Sequence, residues 1–262
     1  MSPGMAMCST SASMSRGNAL ANKAKQNRFR ETYIYFSAEG ENPAEAIRTI
    51  EKQHPGARLL TSETSGETLI TVEASEENEL VLTSKALLED LGNRIIAGPD
   101  ETLPAAFFAA LTARNFTVAL AESITGGMIA SRILDQPGAS RILKEAYIVY
   151  GEDAKQKILR IDQEIIREHG AVSAECAWEM AKNLEIISHA DLIVTSAGYA
   201  GPTGGTPADP IGTVYFGFGI FGNRETVRKR FSGSRNVVRR KASAYALAYV
   251  ISKLRNEGEE RT

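Results

Sequence analysis

The feature that most constrains this chain is the stretch ALAESITGG, Ala119 to Gly127. An apolar, β-branched run from Phe116 to Leu120 leads into Glu122-Ser123, and past Thr125-Gly126-Gly127 the apolar residues Met128, Ile129, Ile133 and Leu134 recur at helical spacing. That order predicts a buried strand, a tight turn and a helix. The turn would set Ser123 beside a helix N-terminus, where unpaired backbone N–H groups and the positive end of the helix dipole can hold a carboxylate, a phosphate or an oxyanion. Two glycines would let a ligand approach the backbone closely. The stretch has neither the Lys-Ser/Thr ending of a P-loop nor the spacing of a dinucleotide fingerprint, and it is not a GxSxG elbow. Since Ser and Thr also cap helices and Gly pairs also mark plain turns, the stretch needs support from elsewhere in the chain.

The pattern around it predicts two folded regions. Residues 1–30 are small, polar and weakly basic, with Arg16, Lys23, Lys25, Arg28 and Arg30 and no acidic residue. Lacking an apolar core segment, they are expected to be a disordered tail rather than a secretory signal. Residues 31–97 read as a small α+β unit of order β-α-β-β-α. Its elements are a strand over Thr32–Ser37, a helix opened by Asn42-Pro43 and ended near Gln53, a hairpin of Leu59–Thr64 and Thr68–Ala74 about Ser65-Gly66, and a helix over Glu77–Leu91 closed by Gly92. Residues 98–102 are expected as a linker, 103–257 as a layered α/β domain and 258–262 as a tail. Within the large domain the pattern predicts a helix from Leu103 to Arg114, a strand from Lys144 to Tyr150 and helices at Glu152–Leu159 and Glu164–His169. Ser173 caps a longer helix, Ala174–Ile187, with Trp178 and Met180 read as core residues. A continuous apolar strand, Asp191–Ala197, then precedes paired strands at Gly212–Ile220 and Glu225–Phe231 and a closing helix over Asn236–Arg255. Buried strands alternating with helices imply a layered architecture.

Composition narrows the function classes. The 262 residues carry a net charge of −2, which argues against a general nucleic-acid binder, and no apolar run approaches the roughly 20 residues of a membrane span. Cys8 and Cys176 are too few for a disulfide framework and suit a reducing, cytoplasmic setting; His54, His169 and His189 are dispersed, so no metal site is expected.

Two further places could carry chemistry. The loop GYAGPTGGTPADP, Gly198 to Pro210, follows a buried strand directly, and its Gly and Pro content makes a rigid segment where ligands of open α/β sheets bind. Tyr150 sits at a predicted strand end, with Lys155 one turn into the next helix. A free lysine is protonated at neutral pH, so Lys155 could act as a base only if buried near the serine.

These motifs together resemble the C-terminal domain of competence/damage-inducible CinA proteins, which is also the whole of the stand-alone nicotinamide-nucleotide amidohydrolases. The run AESITGG resembles that family's AES-C-TGG, and AYIVYGEDAK its VxYSNEAK. EHGAVS, AGYAGPTGGTPADPIGTVYFGF and FSGSRNVVRRKASAYAL follow in the family's order. Residues 31–97 resemble the KH-like linker domain of full-length CinA proteins, although no GxxG clamp for RNA occurs in them. The large N-terminal domain of those proteins, linked to ADP-ribose pyrophosphatase activity, has no counterpart in this sequence, so that activity is not expected of it. The fold implied is an α/β/α domain of CinA C-terminal type preceded by a small α+β KH-like domain.

The resemblance implies deamidation of nicotinamide mononucleotide, or a related nucleotide amide, to the acid and ammonia, without metal or other cofactor. Ser123 matches the nucleophile, Lys155 the general base and Tyr150 a residue that positions or relays protons. Thr125, Gly126 and Gly127 would hold the oxyanion, Gly201, Gly204 and Gly205 would line the substrate site, and Arg235 would take the phosphate. Three departures stand out: Gly151-Glu152-Asp153 replaces the family's Ser-Asn-Glu, Ile124 replaces a Cys as a packing change, and Ala197 stands where the family has Thr or Ser. The last two function classes are therefore an active amidohydrolase and a catalytically reduced domain that binds a nucleotide or a protein. Expected partners are a small-molecule nucleotide substrate and, as one option, further copies in a homo-oligomer; neither nucleic acid nor membrane is expected.

Overall fold

The computed structural model describes residues 28–260. Strand β5 (Val118–Glu122) is an inner strand, between β6 and β7, of a five-stranded sheet of order β6-β5-β7-β8-β9. β6 (Leu143–Ile148) and β7 (Leu192–Gly198) run parallel to it, while β8 (Thr213–Ile220) and β9 (Asn223–Arg230) add an antiparallel hairpin. All five β5 residues are buried, as expected of a strand covered on both faces. Its side chains alternate between two cores. Val118 and Leu120 pack with α3 (Leu103–Thr112), α4 (Met128–Leu134) and α8 (Arg235–Glu260); Ala119 and Ala121 pack with α5 (Glu152–Leu159), α6 (Gln163–His169) and α7 (Ala174–Ser188). The result is the expected three-layer α/β/α arrangement.

A second, antiparallel sheet of order β2-β3-β1-β4 carries α1 (Ala44–Gln53) and α2 (Glu77–Leu91). Its strands are β1 (Phe29–Tyr35), β2 (Ala57–Thr64), β3 (Glu67–Ala74) and β4 (Ile95–Ala97). β4 is absent from the sequence reading because Ile-Ile-Ala is too short to show alternation. The residues expected as a tail mostly lie outside the described span, but Phe29 and Arg30 already belong to β1. At the other end α8 runs to Glu260, past the expected helix end. The 98–102 segment is fixed rather than free: Asp100 N–H donates to the Thr32 carbonyl at 2.8 Å. Ile34, Ile96 and Ala97 of the small sheet are buried in the same core as α3 and α8.

Two local expectations are corrected. β6 ends at Ile148, not Tyr150, although Val149 N–H still donates to the Glu122 carbonyl at 2.8 Å. Met180 is fully buried as expected, but Trp178 is 39% exposed and lies between Lys182 and Arg224, each 5.5 Å from its ring. Both residues sit on α7, and the helix turns only one of them inward.

Candidate active site

The site forms at the carboxyl ends of β5, β6 and β7. Ser123 extends the parallel ladder, donating its N–H to the Ser196 carbonyl at 2.9 Å. Period-two alternation turns Ser123 toward the α5–α7 face with Ala121 and turns Glu122 the other way. Both side chains are buried, Glu122 to 1% exposure and Ser123 to 8%.

On the α5–α7 face Lys155 meets Ser123. The lysine lies one turn into α5 and is 2% exposed. Its Nζ donates to the Val149 carbonyl at 2.9 Å and to Ser123 Oγ at 3.3 Å. No carboxylate lies within 4 Å of this amine among the described residues. Burial therefore lowers the Lys155 pKa, with Cys176 and Glu152 opposing the shift only as weaker influences. The neighbouring Cys176 thiol is pushed up to about 11, chiefly by burial, and so stays protonated at neutral pH. A neutral Lys155 keeps one N–H on Val149 and frees a lone pair for the serine proton.

On the other face Glu122 takes the place that sequence reasoning assigned to a ligand. Its carboxylate accepts from the N–H groups of Gly127 (2.9 Å), Ile129 (3.1 Å) and Ala130 (2.8 Å), the first turn of α4. The helix N-terminus is thus already neutralised by the protein's own anion. The Gly127 N–H, expected to face an oxyanion, is instead taken up by Glu122. The Ile124, Thr125 and Gly126 N–H groups remain without a partner among the described residues. Thr125 itself is fully buried, with its hydroxyl 2.8 Å from Ser196 Oγ. Ile124 is 4% exposed within the α3–α4–α8 core, as a packing residue should be. The signal for Glu122 was present in the sequence: it directly precedes Ser123 at the end of a strand, so it must point to the opposite face.

Tyr150 does not join the Ser123–Lys155 pair. It is 64% exposed, and its hydroxyl accepts from Arg235 Nη2 at 3.2 Å. Arg235 Nη1 donates to the Gly201 carbonyl at 2.9 Å, so one guanidinium ties the end of β6 to the Gly-rich loop. Gly204 and Gly205 lie farther along that loop, against Tyr199 and the Asp209–Ile211 segment. The loop is pinned from outside by Asp209, which accepts from Tyr215 Oη at 2.9 Å and Arg228 Nε at 2.8 Å. Sequence reasoning missed Arg239. One helical turn after Arg235, it donates from Nε to the Ile124 carbonyl at 3.1 Å and from Nη2 to the Thr125 carbonyl at 3.0 Å. The i, i+4 spacing was its signal. Neither arginine has a carboxylate within 4 Å among the described residues. Two arginines without a carboxylate partner among the described residues thus lie one helical turn apart, Arg239 on the serine turn and Arg235 on the Gly-rich loop. No group of three His, Cys, Asp or Glu side chains is placed to hold a metal ion among the described residues.

Residues 100–254 match the model of the CinA C-terminal domain. The chain belongs to that family. A CinA-like protein of Pseudothermotoga lettingae is 37% identical over 182 residues, covering 70% of this chain and 45% of that protein. A CinA-like protein of Thermotoga maritima is 38% identical over 164 residues, covering 62% and 40% respectively. The chain thus spans less than half the length of these relatives. Among solved structures, the competence damage-inducible protein A of Klebsiella pneumoniae aligns with TM-score 0.56 at 36% identity, covering 58% of this chain and 94% of that one. The competence/damage inducible protein CihA of Agrobacterium tumefaciens aligns with TM-score 0.55 at 30% identity. The CinA domain here has the α/β/α architecture described above, and no helix among the described residues is long and apolar enough to cross a membrane.

Proposed function

We propose that this CinA domain hydrolyses the carboxamide of nicotinamide mononucleotide, or of a related nucleotide amide, to the carboxylate and ammonia. The observation that carries the reading is the buried Lys155 amine 3.3 Å from Ser123 Oγ, with no carboxylate within 4 Å among the described residues. Lys155 takes the serine proton as Oγ attacks the amide carbon, and returns it to the departing ammonia. Water, deprotonated by the same amine, then attacks the acyl-serine; Lys155 returns that proton to the departing Ser123 Oγ, which restores the serine as the acid leaves. The free N–H groups of Ile124, Thr125 and Gly126 supply donors for the oxyanion; one such donor is worth about 2.7–4 kcal/mol in systems where it has been removed. Arg235 and Arg239 suit the phosphate, and Tyr150 orients Arg235 rather than relaying the serine proton.

Ala197 supports a second reading, a domain that keeps the nucleotide site but has lost turnover. The strand pairing that sets Glu122 beside Ser196 puts Ala197 next to Ser123, and the residue is fully buried with no hydroxyl to offer. Ammonia release from nicotinamide mononucleotide separates the two readings. Release above that of a Ser123→Ala control supports hydrolysis; tight binding of the mononucleotide with no release supports the binding module.

A further inference from the structure

The β2–β3 hairpin of the small sheet meets α4 and α8. The tip of β2–β3, Ser65-Gly66, has positive φ at both residues, as a tight two-residue turn requires. It abuts α8: a Cβ on Gly66 would stand 2.5 Å from Lys241 Cα, so only glycine lets the two backbones meet. Lys241 Nζ donates to Glu63 Oε2 at 3.4 Å on one side of the tip. On the other side Glu67 forms an ion pair with Arg132 of α4, and the two side chains are only 14% and 18% exposed. Arg132 Nη1 also lies 3.4 Å from Ser243 Oγ of α8, a hydroxyl that is itself buried.

The helices gripped in this way are the two that hold the serine turn. α4 binds Glu122 through its first amides, and α8 carries Arg239 onto the Ile124 and Thr125 carbonyls. Elsewhere Ile34, Ile96 and Ala97 are buried against α3 and α8, and open clefts of about 540 and 750 Å³ run beside the hairpin, each with Ile34, Glu67 and Leu103 in its walls. The charged contact and the glycine approach tie the hairpin to α4 and α8, while Arg255 of α8 donates to the Ile95 and Ile96 carbonyls on the β4 side of the junction.

We propose that Glu67 is a positioning residue for the Ser123 turn, and that the small sheet acts as a brace for α4 and α8. The grip comes from outside residues 100–254, the part that matches the family model. It does not depend on which bond the site cleaves.

Hydrogen exchange on the full chain, read by mass spectrometry over residues 123–134 and 152–159, tests this directly. Glu67→Gln, which keeps the shape and removes the charge, is expected to speed exchange over 123–134 about tenfold while leaving 152–159 unchanged. Glu67→Asp, which keeps the charge, is expected to restore most of the protection. Ile50→Val removes a methyl group from the small sheet's own core, away from the hairpin, and is expected to leave 123–134 unchanged. Exchange over 123–134 within twofold of wild type in Glu67→Gln would overturn the proposal. So would an equal acceleration in Ile50→Val, or a uniform rise over both segments.

Discussion

Two buried ionisable groups flank the serine turn, and they are treated oppositely. Glu122, on the α4 face, is met by three backbone N–H donors. Lys155, on the α5 face, is met by one carbonyl and one hydroxyl. A carboxylate given that many donors becomes part of the scaffold. An ammonium so short of acceptors, with no carboxylate within 4 Å among the described residues, is pushed toward its neutral form, Glu152 opposing the shift only weakly. The same depth of burial thus yields a rigid cap on one side of the sheet and a candidate base on the other, and the difference lies in the number of partners. Each face can be tested for its assigned part.

The largest effect is expected on the lysine face. Lys155→Met should lower ammonia release by at least about 10³-fold, with little further loss when Ser123→Ala is added, because nucleophile and base act as a unit. Its stability in urea should stay level or rise by roughly 1 kcal/mol, since an apolar side chain of similar length replaces a poorly solvated amine. Loss of stability together with activity would place Lys155 in the scaffold and end the contrast.

Glu122 should behave in the opposite sense. Glu122→Ala leaves three helix N–H groups without their anion, and hydrogen bonds to a charged group contribute about 1.5–3 kcal/mol each, not additively. A loss of about 3 kcal/mol or more in urea unfolding is expected, against no loss for Lys155→Met. A change below about 1 kcal/mol would show that solvent satisfies α4 as well as Glu122 does.

The contrast should also appear in the pH dependence of stability. An unfolded lysine titrates near about 10.4, while burial lowers the Lys155 pKa in the folded chain. Between those two values the unfolded state binds more protons, so stability rises with pH across that window and is flat below it. The rise amounts to about 1.4 kcal/mol for each unit separating the two pKa values. Wild type minus Lys155→Met, measured by urea unfolding from neutral pH upward, isolates it. A flat difference would mean that Lys155 is solvated like any surface lysine.

How much of this was legible in the sequence follows from the range of each interaction. The strand-turn-helix at Ser123, the Ser65-Gly66 hairpin and the 77–91 helix could be read because each is set by neighbours a few residues apart. Cys176 N–H does bond to Ser173 Oγ, as expected of a helix cap. The approach of Lys155 to Ser123 was only a condition, burial near the serine, since 32 residues separate them. The place of the Tyr150 hydroxyl could not be read because the strand stops two residues short of it, which frees the hydroxyl for Arg235. That the Gly127 N–H is taken by Glu122 was hidden for another reason: an open helix N-terminus attracts any anion, and the nearest one was the protein's own. Arg239 and the Glu67–Arg132 pair needed the packing of α8 and α4, which no local pattern carries.

The smallest expected effect is at Ala197, and it tests whether the lysine face is complete. Alternation along β7 sets Ala197 with Ile193 in the core of the α5–α7 face, in company with Val149 and Cys176. A hydroxyl introduced there would project into the layer that holds Lys155 and Ser123, and the family resemblance gives this position to Thr or Ser. Ala197→Ser adds a single oxygen to a fully buried position, whereas Ala197→Thr also adds a methyl group, and overpacking a filled core costs about 1–3 kcal/mol. Serine is therefore the cleaner substitution. One net hydrogen bond of about 1 kcal/mol, made in the transition state, would raise kcat/KM for ammonia release about fivefold. The lysine remains the base, and the added hydroxyl supplies one of the acceptors that its face lacks. The same hydroxyl should hold the ammonium form better, so the rise in stability with pH should shrink in Ala197→Ser. If kcat/KM falls while that pH dependence shrinks, the hydroxyl is quenching the base, and the alanine preserves a neutral Lys155 rather than marking a loss of function.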